Sequence, residues 1–400
     1  MTIGPWEIRP LSDVAEVRTG FAKNTGVTVT QPVSVHYLRV ANVQDGFLDL
    51  SDVGRIDVSR SDLQRFAVLP GDVLMNEGGD LDKLGRGAIW NGTFDPCIHQ
   101  NHVFVVRCGP AVRPAYLRMW SSGGASRRYF LFAGKQTTNL ASISKTALSQ
   151  LPVAVPPLHE QDAIAKALSD VDALLDGLDR LIAKKRDLKQ AAMQQLLSGR
   201  ARLPGFHDSW RETTLGAIGE CVIGLTYSPE NVASHGLLVL RSSNIQEGGL
   251  SFHDNVYVDM AVPDRVITRR GDILVCVRNG SRALIGKSSL IGDSAVGLAF
   301  GAFMSVYRTK HWQFIADAFR SDDIQRQIRD NIGATINQIT NRDMKALRVK
   351  LPGEEEQVAI SGVLSDMDAE LEALAVRRSK TQALKQAMMQ ELLTGRIRLI

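Results

Sequence analysis

Pro156-Pro157-Leu158-His159-Glu160-Gln161-Asp162-Ala163-Ile164 and Pro352-Gly353-Glu354-Glu355-Glu356-Gln357-Val358-Ala359-Ile360 open two copies of one segment. With Glu160 set on Glu356 the register holds without a gap to the end of the chain. Leu168-Ser169-Asp170 meets Leu364-Ser365-Asp366, Leu188-Lys189-Gln190-Ala191 meets Leu384-Lys385-Gln386-Ala387, and Gly199-Arg200 meets Gly395-Arg396. A fixed offset over so many residues marks an internal duplication.

Apolar residues in each copy step by three and four. The first carries Ile164, Leu168, Val171, Leu175, Leu178 and Ile182; the second carries Ile360, Leu364, Met367, Leu371 and Leu374, resuming at Leu384, Met388 and Leu392. Such spacing predicts a long helix with one apolar seam. Proline and acids at the start, and glycine then arginine at the end, are helix boundary signals. At 1.5 Å per residue each helix would be about 55 Å long. So long a single-seamed helix needs a partner, and its own copy is at hand.

The segments before the helices repeat more loosely. Trp6, Leu11, Glu16 and Gly20 align with Trp210, Leu215, Glu220 and Gly224. Gly71-Asp72-Val73-Leu74 aligns with Gly271-Asp272-Ile273-Leu274, and Ile143-Ser144 with Ile339-Thr340. Short β-branched runs between Gly/Asn/Asp turns predict mixed α/β (α+β) globular domains. The predicted order is domain 1–155, helix 156–203, domain 204–351 and helix 352–400. The two helices are expected to pair with each other.

Composition narrows the class. The chain has 400 residues, 44% hydrophobic and 22% charged, which is ordinary for a globular protein. Cys97, Cys108, Cys221 and Cys276 show no paired spacing, so neither a zinc site nor a redox motif is expected. No signal pattern or membrane-length apolar run is legible, and a cytoplasmic setting is expected. A net charge of +4 permits nucleic-acid binding only if it is concentrated.

Enzyme motifs are weak. Gly280-Ser281-Arg282-Ala283-Leu284-Ile285-Gly286-Lys287-Ser288 has five residues between its glycines, where a phosphate-binding loop needs four. A plain hairpin or a DNA-facing loop is the better reading. Thr93-Phe94-Asp95-Pro96-Cys97 lacks the aromatic that would stack on a flipped base and reads as a turn. His99 and His102 have no third ligand nearby, so no metal is expected. Catalysis by this chain alone is not expected.

DNA-compatible side chains are plentiful in the diverged loops. The first domain offers Arg39, Asn42, Gln44, Lys83, Arg86, Gln100, Asn101, Lys135, Gln136 and Thr138. The second offers Arg241, Ser243, Asn244, Gln246, Arg278, Asn279, Ser281, Arg282, Lys287, Asn337, Gln338 and Arg342. Arginine suits guanine, asparagine and glutamine suit adenine, and lysine suits phosphate. Taken singly, each is as readily a solvated loop residue, and the repeated Arg39/Arg241 and Asn42/Asn244 as readily structural.

The helical motif resembles that of the DNA-specificity subunits of type I restriction-modification systems. It is carried by Pro156 to Ile164, Leu188 to Arg200, and the second copy's Met389 to Arg396. The second copy departs at Gly353-Glu354-Glu355, where that family prefers Pro-Leu, and this is expected to alter the helix entry.

The resemblance implies two target recognition domains that each read one half of a bipartite, asymmetric site in double-stranded DNA. They would sit about one helical turn, roughly 34 Å, apart in the major groove, with the helices packed as an antiparallel coiled coil, related by the pseudo-twofold of the internal duplication, and setting the unread gap. It implies no cofactor in this chain and no membrane contact. Two modification subunits would bind S-adenosylmethionine for adenine-N6 methylation, and two restriction subunits would use ATP and Mg. The rival expectations are a coiled-coil scaffold that no longer reads DNA and a nucleotide-using enzyme.

Overall fold

The computed structural model describes residues 2–3, 6–23, 31–79, 84–136, 141–246, 248–332 and 337–399. The chain divides into two compact units. One comprises Met1–Asp179 with Val376–Ile400, and the other Arg180–Ala375. Each unit therefore takes half of each long helix, Leu158–Leu197 and Glu354–Leu392.

The first unit is built on an antiparallel sheet whose strand order is Ala15–Arg18, Val103–Cys108, Val73–Asn76, Gly87–Ile89. The second repeats that order with Glu220–Ile223, Met304–Arg308, Ile273–Cys276 and Ser288–Leu290. A smaller mixed sheet packs against each, containing the parallel pairs Val33–Leu38 with Cys97–His99 and Leu237–Leu240 with Ala299–Phe300. Two short helices cover the other side, Pro114–Ser122 and Gly124–Ala133 in one unit, Trp312–Arg320 and Asp322–Asn331 in the other.

The repeated Gly-Asp dipeptide builds the base of each sheet. Asp72 is buried, accepts from the Leu69 amide at 2.8 Å, and takes a two-pronged Arg107 at 2.8 and 2.7 Å. Asp272 does the same with the Arg269 amide and Arg308. Such paired, hydrogen-bonded charge is tolerable in a core, whereas one partner alone is not.

Both long helices are anchored in the domain cores. Ile164 and Leu168 from the start of one helix, and Leu392 and Leu393 from the end of the other, join the core around Trp6, Phe104 and Trp120. In the second unit Met193, Leu196 and Leu197 meet Ile360 and Leu364 around Phe314 and Tyr307. The helix pair is antiparallel within each unit. Asp172 and Asp179 pair with Lys385 and Arg378, and Lys185 and Lys189 pair with Glu370 and Asp368.

The seam differs from the sequence expectation at one residue. Leu384 is 55% exposed, while Thr381 is buried and Lys385 largely so. Stepping by four and three from Leu374 lands on Arg378, Thr381, Lys385, Met388 and Leu392, so the seam runs through polar residues that an apolar count skips. In the first copy Lys185 and Lys189 follow Ile182 in the same way. Their stems cover apolar surface while the ammonium groups reach carboxylates on the other helix. Polar groups in a seam select register and orientation more than they add stability.

A clamp closes each unit where the duplicated segment begins. Glu160, fully buried, receives Arg398 through Nε at 3.0 Å and Nη2 at 2.8 Å. Glu356 receives Arg202 at 2.6 and 2.8 Å and the Trp210 indole N–H at 2.9 Å. The adjoining Gln161 accepts from the Arg113 amide and donates to the Ala111 and Pro156 carbonyls; Gln357 donates to the Pro352 carbonyl. Gly199 and Gly395, at φ of 71° and 68°, turn the chain out of each helix so that the arginine three residues on can reach its glutamate.

Gly353 does not alter the helix entry as expected. Gln357 N bonds Gly353 O as Gln161 N bonds Pro157 O, both at 3.0 Å, and the helices begin at equivalent residues.

Two outcomes follow from these buried pairs. Arg308→Met, which strands the Asp272 charge, should destabilise the second unit by about 3 kcal/mol. Hydrogen exchange at Ile273–Cys276 under increasing urea would show it, and unchanged protection would refute it. The Arg398 fork holds the Glu160 carboxyl below its ordinary 4.5, against the opposing effect of burial. Its stabilisation is thus complete above about 4.5 and is lost as pH falls through the folded value. Glu160→Gln should lower the melting temperature at pH 7 by several degrees, and the gap to wild type should close below pH 4.5.

Candidate nucleic-acid interface

The repeated Arg-x-x-Asn turns prove to be scaffolding at their asparagines, a correction to the sequence expectation. Asn42 and Asn244 are buried, and each accepts from the amide of the arginine three residues earlier, at 2.8 and 2.9 Å. Asn42 Nδ2 donates to the carbonyls of Asp49 and Asp52, and Asn244 Nδ2 to those of Ser251 and Asp254. An amide fully engaged inside a turn has nothing left to offer a base. Arg39 and Arg241 are half-exposed and bind Asp52 and Asp254, each at 2.9 Å. What the turns present outward is Gln44, half-buried, and Gln246, exposed, each bonded to a carbonyl three residues back.

Several predicted residues of the second unit do come together. The Asn279 amide donates to Ser242 Oγ at 2.9 Å, joining the Arg-x-x-Asn turn to the loop after Ile273–Cys276. Asn337 Nδ2 donates to the Gly280 carbonyl, and the Asn279 N–H to the Asn337 carbonyl. Arg278 and Gln338 pair as a β-bridge. Arg278 is exposed, and its guanidinium lies 5.1 Å from the centre of the Phe303 ring. Ser281 is exposed beside them and Ser243 half-buried. Arg282 turns aside to cap the helix Asp322–Asn331 through the Arg329 carbonyl, where the helix dipole favours a cation. Lys287 is half-buried and Arg342 is exposed in the first turn of Asn341–Ala346.

The glycine loop is a hairpin. A short 3₁₀ turn, Arg282–Leu284, leads to Ser288–Leu290, which pairs antiparallel with Ile273–Cys276. A phosphate loop would need a helix to follow it.

The first unit has the equivalent corner in another form. Gly78–Gly79 pairs with Ala141–Ser142, which pairs with Lys135–Gln136. Lys135 is exposed, Arg86 half-buried, and Gln100 and Asn101 lie partly exposed on the turn before Val103–Cys108. Lys83 and Thr138 lie outside the described residues.

His99 and His102 separate in role. His99 is buried with Nδ1 2.6 Å from the Val103 carbonyl, and burial lowers its pKa to about 4. His102 is exposed, with Nδ1 2.6 Å from Glu77 Oε2. No cluster of metal-ligating side chains is present among the described residues, and no described helix is long and apolar enough to cross a membrane. Phe303 and the Glu77–His102 pair are surface features that sequence reasoning missed. The alignment of His102 with Phe303 emerges only from strand register.

Comparison with known proteins agrees with this architecture. Residues 127–184 match the family model of the type I restriction modification DNA specificity domain. Across 98% of this chain and 94% of the relative, it is 26% identical to the putative type I restriction enzyme MjaX specificity subunit of Methanocaldococcus jannaschii. A solved chain from a type I R-M system superposes over 99% of this chain and all of its own length, with TM-score 0.64 and 16% identity. The S subunit from M. genitalium does so over 97% and 96%, with TM-score 0.56 and 14% identity. In motif, full-length alignment and fold, the chain is similar to the type I restriction-modification specificity subunits.

Proposed function

We propose that this chain is the DNA-recognition subunit of a type I restriction-modification complex and carries out no catalytic step itself. Each unit reads one part of a bipartite, asymmetric duplex site. The two long helices fix the unread gap and dock two modification subunits, and two restriction subunits complete the assembly. Methyl transfer from S-adenosylmethionine and ATP- and Mg-dependent cleavage belong to those partners, and the complex works in the cytoplasm.

The observation that carries this reading is the contrast inside the duplication. The clamp, the buried Asp–Arg pairs and the helix register are the same in both units. The exposed corner is not: it carries Arg278, Asn279 and Gln338 in one and Asn101, His102 and Lys135 in the other. A scaffold without recognition would have no use for one frame with two polar faces. The exposed Arg278, Gln246 and Lys135, with the half-buried Gln44, are the predicted residues best suited to bases and phosphates.

The full chain with its modification subunit should enrich a two-part sequence from a randomised duplex pool, with affinity falling steeply as salt rises. Equal recovery of all duplexes would rule out a specificity role. Inserting a heptad into both long helices, which preserves the seam's phase, should lengthen the gap between the enriched parts without changing either part. An unchanged gap would remove the helices from that role.

A further inference from the structure

The sheet of each unit ends in one structurally equivalent corner. Cys276 pairs with Met304 as Asn76 pairs with Val103, which makes Arg278 the counterpart of Gly78, and Phe303 the counterpart of His102. The backbone is the same: the Val277 N–H bonds the Phe303 carbonyl and the Glu77 N–H bonds the His102 carbonyl, both at 3.0 Å. On the far side the Ile339 N–H bonds Val277 O, and the Ile143 N–H bonds Glu77 O, at 2.9 and 2.8 Å. Beyond these shared bonds the strand pairing and the side chains differ.

In the second unit the corner shows a cation laid on an aromatic face. Phe303 is 55% exposed at the tip of its turn, and the Arg278 guanidinium rests over it. A lone exposed phenylalanine is unremarkable on a surface. This one has an identifiable effect, because it restricts a flexible, five-donor side chain that would otherwise lose rotamer freedom on binding. In the first unit the corner shows an imidazole held at 2.6 Å by a carboxylate, with Asn101 Nδ2 3.3 Å from its other nitrogen. Each corner thus offers one polar side chain braced by a neighbour, and the two braces differ in charge and shape.

We infer that this corner is the specificity-determining position of both units. Arg278 braced on Phe303 reads a guanine in one part of the site, and His102 held by Glu77 presents a different edge to the other part. The inference rests on the DNA-reading role proposed above. The planar fork of Arg278 matches guanine O6 and N7 and no other base edge in the major groove. Phe303 acts through Arg278 and is a positioning residue.

The test uses the full chain with its modification subunit and a randomised duplex pool, with melting curves confirming that each variant is folded. Arg278→Gln should reduce the preference for guanine at one position by about tenfold or more, leaving the other part of the site as in wild type. Phe303→Leu keeps the arginine but removes its platform, and should weaken the same preference by a smaller factor at the same position. His102→Ala should alter only the other part. Enrichment of the wild-type sequence with undiminished preference by Arg278→Gln would overturn the inference while leaving the recognition role standing. Even loss across both parts would also overturn it, since it would mark Arg278 as a general affinity residue. A wild-type pool without any enriched sequence would overturn the recognition role and this inference together.

Discussion

A glutamate at the start of one helix, buried against an arginine just past the end of the other, is the contact on which each unit depends. Glu160 with Arg398, and Glu356 with Arg202, join segments 238 and 154 residues apart in the chain. A carboxylate placed where water is excluded is costly unless met by a matched donor pair, and the guanidinium fork supplies one. The pairing therefore selects one arrangement of helix start and helix end. It brings Ile164, Leu168, Leu392 and Leu393 into one core, and Ile360, Leu364, Leu196 and Leu197 into the other. The first unit is thereby made from both ends of the chain and the second from its middle.

The same economy governs the sheets. Asp72–Arg107 and Asp272–Arg308 lock the turn before one strand to the strand beside it, and Asn42 and Asn244 hold the neighbouring turns from inside. These residues stay alike because burial leaves them few alternatives: each makes hydrogen bonds that a substitute of another shape would leave open. The corners at the sheet ends carry no such constraint. Their backbone is held by amide-to-carbonyl bonds that any side chain permits, so Arg278 and Phe303 can stand where Gly78 and His102 do.

The helix pair combines two kinds of contact. Near the domain cores its seam is apolar and buried. Toward Ile182 and Arg378 it turns to lysine and arginine facing carboxylates, with the Thr381 hydroxyl donating to the Arg377 carbonyl. Such pairs, half-exposed at Arg378–Asp179 and more buried at the Lys189 and Lys385 ammonium groups, contribute little net stability. Their value is in register, since a slip of one heptad would set Lys189 and Lys385 against the wrong residues.

The sequence by itself determined the duplication, the long helices and the strand-rich domains. Periodicity and repetition are local or self-referential signals that survive without coordinates, and Ile164 to Ile182 shows its seam at a glance. It misjudged Leu384, because an apolar residue one step off a polar seam looks like its continuation. It also could not separate Asn42 from Gln44. Both are amides in one turn, and only the fold shows one bonded inside it and the other facing out. The partnership of Glu160 with Arg398, and of His102's position with Phe303's, required tertiary structure for the same reason. Each is fixed by which strands and helix ends lie side by side, and linear spacing holds no record of that.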